Sequence, residues 1–250
     1  MLPILLGIFG LLWGSFLNVC AYRLIRDETP WYPIRSYCPN CKQTLSWFDL
    51  LPVISYLWLR GICRSCSYKI NAIYPCIELL TAVSFYLYAY FVPISYLPTS
   101  LIWASALIIT IRTDWDDRVI LRITSIFLLP LIYLAVYMNI LPISLYESVG
   151  TSIIVYVLFL VLRAGASYYA KQEALGLGDV ELLVAIAATS GVIGTWLTIL
   201  IASFLGLLHG LLAIYLYKQE KHLIPFGTYL ALTNLLIFPL LTLKDFYMNF

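Results

Sequence analysis

The sequence predicts an all-α polytopic membrane protein with about eight transmembrane helices and one small cytoplasmic domain between helices 1 and 2. Three observations lead there. Of 250 residues, 62% are hydrophobic and only 11% are charged, whereas ordinary soluble domains carry about 25% charged residues. The mean hydropathy is +0.90. The apolar runs are continuous rather than alternating, which selects membrane helices over a β-barrel.

Runs long enough to cross about 30 Å of hydrocarbon occupy residues 1–22, 73–92, 97–112, 119–138, 147–163, 179–194, 195–217 and 224–243. The first has no basic start and no clear small-residue cleavage site, so it reads as a retained helix. The sixth and seventh meet through "SGVIG", Ser190 to Gly194. With the N-terminus outside, fourteen of the 15 Lys and Arg fall in inner segments, Lys218 and Lys221 among them, and only Lys244 falls outside. That asymmetry fits the positive-inside rule and an even number of spans. Both termini are then extracytoplasmic, and the 20 tyrosines, many at run ends, read as interfacial belts. A net charge of +2 without a basic-aromatic patch gives no support for nucleic-acid binding. Internal repeats and low-complexity tracts are not evident.

The domain reading is a first transmembrane helix over 1–22, a cytoplasmic zinc-binding domain over 23–72 and a transmembrane domain over 73–250, which the acids described below mark as an aspartyl protease domain. The middle piece contains "CPNC" (Cys38, Cys41) and "CRSC" (Cys63, Cys66), separated by 21 residues. Two C-x-x-C pairs are the ligand set of a tetrahedral structural zinc. Redox or disulfide pairs are the alternative. A reducing cytoplasm and the lack of a βαβ context argue against them. About 50 residues bury little core alone, and a metal compensates. Cys20 and Cys76, in or beside apolar helices, read as small core residues.

Two acids stand at inner helix mouths: Asp114 in "TDWDDRVI" and Asp179 in "GLGDVELL". Asp179 alone fits an N-cap, and Asp114, Asp116 and Asp117 alone fit a solvated loop. Gly176 and Gly178 resist that account, because a cap needs one residue and no flanking Gly-x-Gly. Glycines beside a carboxylate, by flexibility or positive φ, let another backbone approach closely, as a peptide bound in extended form would. Two carboxylates in a partly dry site share one proton; one activates water and the other polarises a scissile carbonyl.

These motifs occur with others in a familiar order: "GSFLNVCAYRL" (Gly14 to Leu24), "PVISYLWLRGICRSC" (Pro52 to Cys66), "YPCIELLTA" (Tyr74 to Ala82) and "IPFGTYLAL" (Ile224 to Leu232). The chain resembles, nearly end to end, the bacterial type IV prepilin peptidases, intramembrane aspartyl proteases of the GxGD kind. The resemblance implies a bifunctional enzyme. It cuts the basic leader of prepilins or pseudopilins at the cytoplasmic face, then N-methylates the new N-terminus with S-adenosylmethionine. It also implies that the catalytic aspartates are Asp114 and Asp179, with Asp116 a nearby non-catalytic acid. Three positions depart from the family pattern: Leu121 for a usual proline, Glu181 for a usual lysine, and Thr228 for the proline of "PFGPYLA". Glu181 adds negative charge near the acid pair.

Glu78 lies about one and a half turns inside the second helix. It reads either as a functional acid, contacting the methyl-transfer site or the substrate's new amine, or as a packing acid paired with Arg or Tyr. Three rival functions carry less. Ser190 and His209 superficially suggest a serine protease, but the glycine two residues before the serine is missing and Ser190 falls near the outer face. A zinc protease lacks H-E-x-x-H, the only histidines being His209 and His222. A non-enzymatic transporter or channel with a zinc knuckle predicts polar mid-membrane positions on several helices, which these runs lack.

Overall fold

The computed structural model describes residues 1–32, 35–171, 175–217 and 224–248. Lys218, Lys221 and His222 lie outside these, as does the side chain of Lys244. The chain forms two compact units, Met1–Tyr90 and Phe91–Phe250.

In the first unit, α1 (Leu2–Leu24) opens with proline in its first turn and closes with Arg23 in its last, the positions where a missing N–H and a positive charge suit a helix. A cysteine-containing segment follows, holding a 3₁₀ turn at Trp47–Leu50 and the short α2 (Ile54–Trp58). The chain then returns as α3 (Ile73–Phe91). The register of α3 on α1 is antiparallel and close. A Cβ at Gly10 would sit 2.8 Å from Ala82 Cα, and one at Gly14 would sit 2.9 Å from Glu78 Cα. Small residues permit such backbone approach where lipid offers no hydrophobic drive for association. One turn further, Asn18 Nδ2 donates to the Tyr74 carbonyl at 3.1 Å. Cys20 is buried as expected, but Cys76 is exposed. The reading of Cys76 as a core residue is corrected: its position turns away from the α1 contact that buries Tyr74's neighbours Pro75, Ile77 and Glu78.

The second unit begins with α4 (Leu97–Asp117), which ends at Arg118 in the left-handed region (φ 57°). Two 3₁₀ turns at Arg122–Thr124 and Ile126–Leu128 lead into α5 (Leu129–Tyr137), α6 (Leu145–Ala170), α7 (Leu177–Tyr217) and α8 (Phe226–Met248). The core lies along the first half of α7, where Leu182, Leu183, Ala185, Ile186, Ala187 and Ala188 are all fully buried. α6 docks on it through Ser148, whose hydroxyl donates to the Ala188 carbonyl at 2.7 Å. α7 bends at Gly191, whose φ of 63° and ψ of −169° only glycine adopts readily. A Cβ there would also run into the Glu147 carboxylate. Beside the bend, Asn234 of α8 accepts from Trp103 Nε1 of α4 at 3.0 Å and donates to Ser190 Oγ at 3.0 Å and Thr198 Oγ1 at 3.2 Å. One amide thereby joins α4, both halves of α7 and α8. Beyond the bend, Leu200, Phe204, Leu207 and Leu211 form an exposed stripe at helical spacing, the face a membrane helix turns to lipid.

Among the described residues, five helices are long and apolar enough to cross a membrane by length and composition: Leu2–Leu24, Ile73–Phe91, Leu145–Tyr169, Leu177–Tyr215 and Phe226–Leu243. The expected count of about eight differs for physical reasons. Two of the expected spans run together as α7, continuous except at Gly191. α4 collects Arg112, Asp114, Asp116 and Asp117 at its end. Arg122–Tyr137 is a shorter apolar segment, interrupted at Ser125 (φ −124°, ψ −96°).

Candidate active site and metal centre

Cys38, Cys41, Cys63 and Cys66 converge, with their sulfurs all within 4.8 Å of one another. Each pair is built the same way. The Cys38 N–H donates to the Gln43 carbonyl, and the Cys63 N–H donates to the Tyr68 carbonyl. The residue after each second cysteine, Lys42 (φ 59°) and Ser67 (φ 55°), takes the left-handed turn that folds the knuckle back. Isolated bridges Tyr37–Thr44 and Ile62–Lys69 close the two loops. Cys38 Sγ lies 3.8 Å from Cys66 Sγ, the edge of a sulfur tetrahedron built on zinc–sulfur bonds of about 2.3 Å. The Tyr68 backbone N–H, and then the Asn40 amide, pull the Cys66 thiol down to about 6, which favours the thiolate that metals bind. Arg64, inside the second knuckle, pairs with Asp49 at 2.8 Å and fastens the 3₁₀ turn to the loop. The donor set and spacing fit zinc. Four sulfurs complete its tetrahedron and leave no open position, so the metal would supply folding rather than chemistry.

Metal analysis of purified protein is expected to find about one zinc per chain. Replacing Cys38 and Cys41 together with serine is expected to remove it and to render residues 23–72 sensitive to proteolysis, while peptide-bond hydrolysis persists at least in part. Metal-free parent protein, purified without chelators, contradicts this.

Asp114 closes the last turn of α4 and is 5% exposed. Its Oδ2 accepts two hydrogen bonds from the start of α8: the Thr228 N–H at 2.6 Å and the Thr228 hydroxyl at 2.8 Å. Asp179 is the third residue of α7. The Gly176 carbonyl accepts from the Val180 N–H at 3.5 Å, and the Asp179 carboxylate accepts from the Gly176 N–H. Asp179 therefore reaches back from the third helical position rather than capping the helix itself. The two carboxylates are near enough for the charge on Asp114 to act on Asp179. Arg163 of α6 fixes the approach to this segment, its Nε donating to the Leu175 carbonyl at 2.9 Å.

Neither Gly176 nor Gly178 has positive φ, so the positive-φ alternative is corrected. What the glycines provide is space. A Cβ at Gly178 would come within 3.1 Å of Ile120 Cβ, and one at Gly227 would come within 3.2 Å of Asp114 Cγ and still closer to Ile120. Ile120, six residues past Asp114, thus lies over both glycines. Asp116 is turned to a different task, ion-paired with Arg112 one turn back on α4. Ser190 accepts from Asn234, while His209 packs between Trp115 and Tyr229. Eighteen residues of helix beyond the bend separate that histidine from Gly191 by about 27 Å, so Ser190 and His209 form no pair.

A family profile described as "Bacterial Peptidase A24 N-terminal domain" matches residues 8–92, and one described as "Type IV leader peptidase family" matches residues 101–211. The chain is 31% identical over 249 residues to the "Type 4 prepilin-like proteins leader peptide-processing enzyme" of Escherichia coli O78:H11 (strain H10407 / ETEC), covering 92% of this chain and 91% of that one. The chain belongs to the type IV leader peptidase family. It is also 30% identical over 254 residues to the "Prepilin leader peptidase/N-methyltransferase" of Pectobacterium carotovorum subsp. carotovorum, covering 91% of this chain and 89% of that one. The protein of the same name from Bacillus subtilis (strain 168) is 31% identical over 236 residues, covering 94% and 92%. No solved structure matches the chain. Family membership supports the peptidase reading and not the transporter or channel.

Within this family the three departures acquire physical meaning. Proline has no N–H to give, so Thr228 supplies Asp114 with two donors that a proline lacks. Glu181 is buried against Arg122, 3.0 Å away, so its charge beside the acid pair is offset locally. Leu121 caps the turn that carries Arg122. Sequence reasoning noted Thr228 only as a departure and missed Arg122, Ile120 and Gly227 as neighbours of the acids. "PFGT" stands more than a hundred residues from Asp114, and no periodicity or spacing signals that contact.

Proposed function

We propose that this chain is a prepilin leader peptidase and N-methyltransferase whose hydrolytic centre is the Asp114–Asp179 pair. The single observation that carries the assignment is the buried Asp114 carboxylate, doubly hydrogen-bonded by Thr228 and electrostatically coupled to Asp179. Asp114 accepts from two donors and Asp179 from one, so a single charge on the pair falls on Asp114, and two adjacent carboxylates disfavour a second charge. Asp114 is therefore the base that takes a proton from water, and Asp179 keeps the shared proton for the scissile carbonyl oxygen. Water oxygen bonds to the carbonyl carbon, the carbon–nitrogen bond breaks, and the leaving amine collects a proton from the pair. The substrates are prepilins or pseudopilins, cut at the end of a basic leader, and the freed N-terminus is methylated at the expense of S-adenosylmethionine. The reading includes eight crossings, counting α4, the Arg122–Tyr137 segment and the two halves of α7 separately. It places both termini in the periplasm of a bacterial inner membrane and the aspartates at the cytoplasmic face, as the basic residues direct. Incubating the membrane-embedded protein with a prepilin peptide and weighing the products tests it; an unaltered peptide contradicts it.

Thr228→Val keeps the N–H and removes the hydroxyl. Losing one hydrogen bond to a charged group, about 1.5 kcal/mol, is expected to lower kcat about tenfold, with KM little changed. An unchanged kcat on a prepilin peptide contradicts the role given to Thr228.

A further inference from the structure

Glu78 is a buried acid that the hydrolytic centre does not use. It lies on α3 where that helix crosses Gly14 of α1 and is 8% exposed. Its Oε2 accepts from the Val53 N–H at 2.8 Å, and Ser15 of α1 donates to it. Val53 is held at φ 61°, a strained conformation for a β-branched residue. Among the described residues no cation pairs with Glu78. One turn past Gly14 on α1 stands Asn18, 2% exposed, opposite Tyr74, which precedes Glu78 by one turn of α3. Its Nδ2 is committed to the Tyr74 carbonyl, which leaves Oδ1 as the free end, and that oxygen is buried without a partner.

A buried carboxylate with only neutral donors, one helical turn from a buried oxygen with none, is an arrangement that a cation bearing several N–H groups would complete. We propose that Glu78 and Asn18 form the seat for a primary ammonium group, the α-amine that leader cleavage exposes at the N-terminus of the mature peptide. A sulfonium group fits less well, since it has no N–H for Asn18 Oδ1. The apolar segment that follows the new N-terminus can lie against the lipid-facing side chains flanking the seat, Phe16 on α1 and Leu79 on α3, both exposed. In the seat, Glu78 takes a proton from the ammonium. The freed nitrogen lone pair then bonds to the methyl carbon of the sulfonium donor. The carbon–sulfur bond breaks with its electron pair going to sulfur, leaving a neutral thioether and a methylated ammonium. Glu78 is thus a catalytic residue of methyl transfer and Asn18 positions the amine.

This rests on the N-methyltransferase reading, and the test separates the two. A mature-type peptide with a free N-terminus and its N-acetylated form are titrated against the full-length protein in lipid nanodiscs. Methyl transfer to the free peptide is measured in parallel. The parent protein is expected to bind the free amine at least about tenfold more tightly, the least that charge-assisted hydrogen bonds to a buried carboxylate supply. Glu78→Gln, with parent-like melting and zinc content, is expected to lose that preference, and Asn18→Ala to weaken it. Equal binding of the two peptides by the parent overturns the proposal. So does a preference that survives Glu78→Gln, or an uncleaved peptide, carrying leader lysines, that competes as well as the mature one. Preference without methyl transfer leaves the seat standing and removes the methyltransferase reading instead.

Discussion

Asp114→Asn and Asp179→Asn are each expected to lower kcat/KM for leader cleavage by about 10³-fold or more, the range that a positioned acid or base contributes. An amide cannot take a proton from water, and it cannot share one with a neighbouring carboxylate. The double variant is expected to be no worse than either single one, because residues acting as a unit lose their effect together. Folding is expected to survive. Asparagine at 114 still accepts from the Thr228 N–H and hydroxyl, and asparagine at 179 still accepts from the Gly176 N–H. Asp116→Asn serves as the control, since that carboxylate is engaged with Arg112, and most activity is expected to remain. Loss at Asp116 instead of Asp114 would move the first acid along α4.

The second large effect concerns Gly178. A valine there places its Cβ about where Ile120 already comes within 3.1 Å, and its two methyl groups extend further. Ile120 must move, and with it the short stretch that leads back to Asp114 at the end of α4. A helical peptide carbonyl is bonded and shielded, so the leader junction must be extended when it reaches the acids, and an extended segment needs the same close approach. Gly178→Val is expected to cut kcat/KM about 100-fold, the cost of an ångström-scale misplacement of reacting groups. The helix itself gains from losing a glycine, by at most about 1 kcal/mol, so the melting temperature is expected to shift by only a few degrees. A folded variant that cleaves at the parental rate leaves the glycine as punctuation.

The all-helical membrane class and the four-cysteine cluster were legible in the sequence for local reasons. Continuous apolar runs state their own environment, and two C-x-x-C pairs state their chemistry within four residues each. An interruption at "SGVIG" was legible because glycines break a helix locally, but it read as a turn between two helices, whereas the helix runs on through a bend at Gly191. The surroundings of the acids were not. Thr228 reaches Asp114 from another helix, Arg122 reaches Glu181 across a turn and a helix, and Ile120 covers Gly178 and Gly227 together. Those contacts depend on how α4, α7 and α8 pack, and nothing in the spacing of residues encodes them. The glycines illustrate the difference. Their presence beside Asp179 flagged close approach, but whether that meant an unusual φ or empty space was decided only by packing. Cys76 failed for the same reason: an apolar helix with two sides in lipid buries only the face that its neighbour covers.

Separation of the two activities at Asp114 tests the central claim most directly. Membrane-embedded parent and Asp114→Asn proteins are each given S-adenosylmethionine with either an intact prepilin peptide or its pre-cleaved mature form, and the products are weighed. The parent is expected to convert the intact peptide into a free leader and a mature chain carrying one added methyl group. The Asp114→Asn protein is expected to leave the intact peptide whole yet still methylate the pre-cleaved one. Cleavage of the intact peptide by the Asp114→Asn protein contradicts the assignment of the hydrolytic centre.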